Sequence, residues 1–375
     1  MKFADDERVV MTLDAGGTNF VFSAVQSNVE IVKPINLPSN AGNLDACLNT
    51  IIKGFTLVKQ NLSNQPVAIS FAFPGPADYP NGIIGDLGNL PAFRGGIALG
   101  PMLCEKFRLP VFINNDGDLF VYGEAIAGFL PYVNSLLEKG GNPKRYNNLF
   151  GVTLGTGFGA GIVRNDELFI GDNSAAGEIW LLRNKLNFRT NAEEGASIRA
   201  VQRAFADKAG ISPEKTPSPK DIYEIGTGKI PGDKEAAIEA YRQLGESVGD
   251  SLSCAITLID GLIVIGGGLS GAHSLFMPSL IKEMNGTYES PSGIRFPRLE
   301  VKAFNLEDEG DIEKFIRGKK KEIIVPFGTK KIIYDSLQRI GVGVSKLGTS
   351  KAVSIGAYAF ALSFLDKQRN GLLNR

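Results

Sequence analysis

Apolar residues in this chain fall into two patterns, short continuous runs and longer stretches with a helical period, and glycines stop several of the runs. Residues 9–13 (VVMTL) lead into Asp14-Ala15-Gly16-Gly17-Thr18-Asn19, and residues 20–25 (FVFSAV) resume a strand pattern. That predicts a hairpin over 9–25 closed by the Ala-Gly-Gly-Thr-Asn turn. A third strand is predicted at Ile31-Val32. Leu44, Leu48, Ile51, Phe55, Val58 and Leu62 recur at steps of three and four, which predicts an amphipathic helix ending between Asn61 and Pro66. Residues 67–73 and 110–113 are apolar runs of strand length; one stops at Pro74-Gly75-Pro76, the other at Asn114-Asn115-Asp116-Gly117. Strands of this kind separated by helices predict an α/β fold with sheets covered on both faces.

The opening pattern returns in the second half. Residues 149–154 read as a strand, Gly155-Thr156-Gly157-Phe158-Gly159 as a glycine-rich turn and 160–163 as a return strand, which points to an internal duplication. A helix through Leu244, Val248, Leu252, Ile256 and Ile259 leads into the strand 262–265 and a third glycine turn, Gly266-Gly267-Gly268. The helix after Asp116 is marked by Leu119, Tyr122, Ala125, Ile126 and Phe129. Residues 129–148 read as a junction or surface insertion rich in Gly, Pro, Asn and Lys, residues 286–335 as a charged insertion, and residues 352–365 as a final helix.

Composition narrows the function. Among 375 residues, 40 Lys and Arg balance 40 Asp and Glu, and the sequence pI is near 6.7, which weighs against a nucleic-acid binder. Three cysteines (Cys47, Cys104, Cys254) and one histidine (His273) cannot make a Cys/His zinc site at the usual spacing, and the cysteines read as small core residues. No apolar run has membrane-spanning length and the N-terminus lacks a signal-peptide pattern, so a cytoplasmic protein is expected. Three glycine turns after strands fit phosphate contacts, because bare backbone N–H groups can converge on an oxyanion. The P-loop pattern with its Lys is missing, and GTGFGAG runs into a strand, not a helix, which separates the chain from dinucleotide-binding proteins. Asp14 and Asp116 stand at strand ends, where one carboxylate could hold Mg²⁺ through water and another could serve as a base. A plain structural role for Asn115-Asp116-Gly117 is a turn in which Asp116 or Asp118 caps the next helix.

The residues LDAGGTNF resemble the first phosphate loop of actin-like sugar kinases. FPGPAD, NLPAFRGG, PVFINNDGDLFVYGEA, TLGTGFGAG, AGEI, AEEGAS, IGGGLS and IGAYAFAL follow in the order of the ROK family, over about residues 9–285 and 340–365. The resemblance implies a two-lobed actin-like ATPase (ribonuclease H-like) α/β fold with duplicated mixed sheets. One lobe would comprise residues 1–118 with the C-terminal helix 352–375, the other residues 119–351. It also implies an ATP- and Mg²⁺-dependent kinase that phosphorylates a hexose, glucose-like and at O6 as a first expectation, in a cleft between the lobes. By position, Asp116 matches the catalytic base; Asn89, Asn115, Asp116, Glu178 and Glu193 match sugar-binding positions. Asp14, Gly16, Gly17, Thr18 and Asn19, with Thr156 and Gly157, would meet the phosphates and Mg²⁺, and Gly266, Gly267 and Gly268 the adenosine. Dimerisation is common in the family.

Departures are concentrated in one stretch. Typical members follow this Glu with Gly-His and a cysteine-rich zinc loop, whereas this chain reads Gly177-Glu178-Ile179-Trp180-Leu181 and then LRNKLNFRTNAEEGAS without cysteine. Leu181 stands where the sugar-binding His is expected, and Trp180 is a core residue or a stacking face for the sugar. Two rival readings remain at this level. A sugar-responsive repressor would carry a helix-turn-helix before the first loop, yet only 13 residues precede Asp14 here. A sugar-binding regulatory protein without turnover would keep the cleft and lose the chemistry.

Overall fold

The computed structural model describes residues 2–87, 90 and 92–371. The chain divides into two compact units: Met1–Gly128, Gly161–Ala176 and Leu347–Arg375 form the first, Phe129–Ala160 and Gly177–Lys346 the second.

The first unit is built on a sheet of β1 (Val9–Ala15), β2 (Asn19–Gln26), β3 (Val29–Glu30), β4 (Ile35–Pro38), β5 (Pro66–Ala72) and β8 (Val111–Asn114), in the order β3-β2-β1-β5-β8 with β4 paired to β2; a separate two-stranded ribbon joins β6 (Ala77–Asp78) to β7 (Ile83–Ile84). β1 and β2 are the antiparallel hairpin expected, with Ala15 opposite Phe20, and β1, β5 and β8 run parallel. Strand alternation gives β1 two apolar faces: Val9, Met11 and Leu13 enter one core and Val10 the other. The first core is closed by α1 (Leu44–Gln60), whose Asn43 side chain accepts the Ala46 N–H at 2.9 Å as N-cap. Its aromatic spine runs Phe22, Phe55, Phe71, Phe73, Phe93 with centroids 5.3–6.1 Å apart. Each ring is fully buried and contributes about 1.5–3 kcal/mol. α2 (Leu99–Phe107) adds Leu99 and Leu103 to this core, and α3 (Asp116–Ile126) follows β8. The opposite face is covered by the C-terminal helix Thr349–Arg369, through Tyr358, Ala361 and Leu362 on Val10, Val25 and Ala68.

The second six-stranded sheet has the order β11-β10-β9-β12-β18-β15. Its strands are β9 (Leu149–Leu154), β10 (Phe158–Arg164), β11 (Glu167–Leu168), β12 (Leu262–Gly266), β15 (Lys302–Asn305) and β18 (Arg339–Val344). A hairpin followed by parallel neighbours is the arrangement of the first sheet repeated. The helices are α4 (Phe129–Lys139), α5 (Ile198–Ala209), α6 (Pro219–Gly226), α7 (Lys234–Ile259), α8 (His273–Met284) and α9 (Glu309–Arg317), and the C-terminal helix of the first unit is α10. Two-stranded hairpins are formed by β13 (Thr287–Glu289) with β14 (Arg295–Pro297) and by β16 (Lys320–Ile324) with β17 (Lys331–Asp335).

Four expectations need correction. Ile31-Val32 is not a strand: it follows the two-residue strand β3, the Ile31 N–H still donates to the Ala24 carbonyl of β2 at 2.8 Å, and the chain bends away at Val32, whose carbonyl accepts the Ser23 hydroxyl at 3.0 Å. Residues 129–139 form a helix with Phe129, Leu130, Val133 and Leu137 buried, so only residues 140–148 are irregular. The stretch 286–335 is not wholly an insertion, because β15 is a parallel strand of the main sheet, paired to β18. Cys47 alone of the three cysteines is buried; Cys104 and Cys254 are exposed.

The β16–β17 and α9 region is fastened by one charge. Arg339, with its side chain 0% exposed, pairs with Asp335 at 2.8 Å and donates to the carbonyls of Phe315 and Leu337 at 2.7 and 3.0 Å. Asn142 also donates to Asp335 at 2.8 Å. Burial works against the Asp335 anion, but the Asn142 amide, the backbone N–H groups of Lys319 and Leu337 and the Arg339 guanidinium outweigh it and hold its carboxyl at about 2.

Candidate active site

In the first unit, three strands end in one row: Asp14 of β1 is level with Ala72 of β5, and Ala72 with Asn114 of β8. Asp116 lies two residues beyond, as the first residue of α3. The cap of that helix is Asn115, whose Oδ1 accepts the Gly117 N–H at 2.8 Å; neither Asp116 nor Asp118 is the cap residue. The Asp116 Oδ1 also accepts the Gly117 N–H, at 2.9 Å, and its side chain is exposed.

Asp14 is an exposed residue whose carboxyl is nonetheless pushed up by partial desolvation and then by the negative charge of Asp116, against a hydrogen bond from Ser350. The two carboxylates are thus close enough to feel each other. Between β1 and β2, a Cβ on Gly16 would lie 2.8 Å from the Asn19 carbonyl oxygen, whereas a Cβ on Gly17 would meet nothing within 4 Å. Neither glycine is left-handed. The turn therefore keeps glycine at 16 for close approach, and at 17 leaves an open backbone. Ser39 steadies it, with its N–H on the Thr18 carbonyl at 2.9 Å and its hydroxyl on that of Gly17 at 2.6 Å. Thr18 and Asn19 are exposed beside it. Asn89 lies outside the described residues.

The second unit joins its two glycine turns through the end of β9. Gly266 is level with Thr153, and the Leu269 N–H donates to the Leu154 carbonyl at 3.0 Å. Gly267 has φ +84°, and a Cβ there would fall inside the contact radius of the Leu154 backbone, so this position requires glycine twice over. Gly268 is open, with nothing within 4 Å of a Cβ. Against the Thr156-Gly157 turn sits Glu193: its Oε2 accepts the Phe158 N–H at 3.0 Å, and a Cβ on Gly157 would approach that oxygen to 2.8 Å. Arg199 pairs with Glu193 at 2.6 Å and with Glu194 at 2.7 Å, and donates to the Thr156 carbonyl at 3.2 Å. These contacts place Thr156, Gly157, Glu193 and the Gly266–Gly268 turn in one neighbourhood of the unit. Glu178 precedes the 3₁₀ turn Ile179–Leu181 and accepts the indole N–H of Trp180. Trp180 is only half-buried, not a core residue, and Leu181 is 60% exposed.

Sequence reasoning missed Ser350, Ser39 and Arg199. Each touches a predicted residue only because the chain folds back on itself, and no local pattern marks any of them.

Residues 10–296 match the ROK family. The chain belongs to that family. Among solved structures similar to this ROK protein, a glucokinase from Parabacteroides distasonis shares 53% identity, covers 97% of this chain and 99% of its own, and superposes with a TM-score of 0.88. A ROK family glucokinase from Streptomyces griseus, solved with glucose and AMPPNP, shares the fold at 17% identity, covering 93% of this chain and 98% of that one with a TM-score of 0.58. An N-acetyl-D-glucosamine kinase from Photobacterium profundum is 25% identical over 282 residues, 70% of this chain and 85% of that protein. The fold of the ROK chain is accordingly the duplicated α/β actin-like ATPase fold.

Proposed function

We propose that the protein is an ATP-dependent sugar kinase that transfers the γ-phosphoryl group of ATP to a hexose hydroxyl, O6 of a glucose-like sugar. The observation that carries this reading is the pair of carboxylates at one end of the first sheet: Asp116 exposed, Asp14 close enough to feel its charge, and the open backbone of Gly17 on the turn that follows Asp14. Its relatives that are glucokinases and an N-acetylglucosamine kinase support the substrate class.

In this mechanism Asp116 accepts the proton of the attacking sugar hydroxyl as the new O–P bond forms and the bond to the bridging oxygen of ADP breaks. Asn115, Asn89, Glu178 and Glu193 bind sugar hydroxyls, for which amides and carboxylates are suited acceptors and donors. Gly16, Gly17, Thr18 and Asn19, with Thr156 and Gly157, receive the phosphates, and the Gly266–Gly268 turn the adenosine.

The residues fit a magnesium ion. A carboxylate whose ionisation is opposed by desolvation and by a second negative charge gains from a cation beside it. Among the described residues no group of three or more His, Cys, Asp or Glu is assembled for a metal, so Asp14 would hold the ion with water and phosphate oxygens completing the shell, the usual habit of Mg²⁺. When bound it would offset the charge of the polyphosphate.

The test is ADP release with Mg-ATP across glucose, mannose, fructose and N-acetylglucosamine, with the phosphorylated position read by NMR. The expected outcome is turnover on one sugar, modified at O6, and a fall of about 10²–10⁴-fold in Asp116→Ala with ATP binding retained. Undiminished turnover in that variant would remove Asp116 from the mechanism.

A further inference from the structure

The segment from Leu182 to Asn191 separates Glu178 from Glu193 and has almost no apolar hold of its own. Asn184 is the one buried side chain between Arg183 and Thr190, while Leu186 and Phe188 are exposed. Internally the segment is closed by polar bonds. Arg183 bridges to Asn191, the Asn184 N–H donates to the Thr190 carbonyl at 3.1 Å and its side chain to the Thr190 hydroxyl at 3.2 Å, and the Ala192 N–H donates to the Leu182 carbonyl at 2.6 Å. Such a closed loop keeps its own shape but needs an anchor to keep its place.

Lys185 supplies one. Its ammonium lies 2.6 Å from Glu283 of α8 and 3.1 Å from Glu246 of α7. The two carboxylates have cations of their own. Arg242 reaches Glu246 at 2.6 Å and Glu239 at 2.7 Å, and Arg298 pairs with both Glu283 and Asp250. Charge therefore alternates without a break from Glu239 through Arg242, Glu246, Lys185, Glu283 and Arg298 to Asp250. Burial alone would lower the Lys185 pKa, yet the carboxylates outweigh it and hold the ammonium above its ordinary value. Glu246 is held below the usual range because Arg242 and Lys185 outweigh its own desolvation. Lys185 is the only member of this ladder that stands on the segment; the others stand on α7, on α8 and after β14.

We propose that Lys185 is a positioning residue for sugar binding: its paired contacts with Glu246 and Glu283 fix the 182–191 segment on α7 and α8, and with it the flanking stretches that carry Glu178 and Glu193. The proposal rests on the kinase reading for its consequence but not for its geometry. Lys185 touches no reacting atom, so its loss acts on ground-state sugar binding and leaves the chemical step alone.

The single tryptophan is a built-in reporter, since Trp180 donates to Glu178 in the turn just before the segment. The full-length parent, Lys185→Met and Lys185→Arg are compared in two measurements. Without sugar, acrylamide quenching of Trp180 is expected to rise in Lys185→Met and to stay at the parent level in Lys185→Arg. In steady state, Lys185→Met is expected to raise the sugar KM about ten-fold while kcat and the ATP KM stay within about two-fold, with Lys185→Arg restoring the parent value. An unchanged sugar KM with unchanged quenching overturns the proposal. So does a joint change in kcat and both KM values with a lowered melting temperature, which is the mark of a merely structural residue. If the parent phosphorylates no sugar and no sugar alters Trp180 emission, the kinase reading has failed; quenching in the sugar-free proteins still decides whether Lys185 anchors the segment.

Discussion

Asp14 carries a charge that its surroundings oppose. In the folded protein its carboxyl is raised by desolvation and by Asp116, with Ser350 only partly compensating. A raised acid favours the fold while it is neutral: that stability is fully present below the ordinary carboxylate pKa and is lost as pH rises through the raised one. Asp14→Asn should therefore melt above the parent near pH 7 and together with it near pH 3, while phosphoryl transfer is lost. Thermal melts at the two pH values check it. A variant melting below the parent at neutral pH would mean that the ionised form stabilises the fold.

At the scale of elements, α3 and α10 meet through glycine. A Cβ on Gly356 would overlap the Leu119 carbonyl, and one on Gly123 would overlap that of Ala352, both backbone atoms that cannot rotate away. Gly356→Ala should lower stability by about 2–4 kcal/mol, whereas Gly42→Ala, where a Cβ meets nothing within 4 Å, should stay within about 0.5 kcal/mol. Urea unfolding followed by circular dichroism measures both, and equal midpoints would show that the helices part easily. Elements with strong periodicity or clear stops were legible: the β1–β2 hairpin, α1, the second half of α7 and α10. α4 was hidden because its apolar stripe at Phe129, Val133 and Leu137 adjoins the Gly, Pro and Asn of residues 140–148, which dominate the composition. β15 was hidden for a different reason. Four residues reading Lys-Ala-Phe-Asn become a strand only through pairing with β18, far along the chain. The candidate site divides in the same way. Asp14, Asp116 and the glycine turns are announced locally by a strand that stops in glycine or a polar turn, but Ser350, Arg199 and Lys185 matter only through what folding brings to them.

At the scale of the molecule, each unit is assembled from separated stretches of chain, and the first is completed only by Leu347–Arg375. The face of its sheet that carries Val10, Val25 and Ala68 depends on Tyr358, Ala361 and Leu362 for cover. A chain ending at residue 346 should keep slow amide exchange in β9, β12 and β18, yet lose protection in β1 and β5. Exchange measured peptide by peptide reads this, and retained protection in β1 would show that the sheet stands without α10.

The same dependence has a temporal side. A ribosome delivers β1 and β5 long before α10, so one face of the first sheet emerges with its partner still unmade. Until α10 emerges, that apolar face has to be shielded by transient contacts or by a chaperone, and the first unit reaches its final packing only after α10 has left the ribosome. For this fold, the arrival of α10 is the step that commits the first sheet.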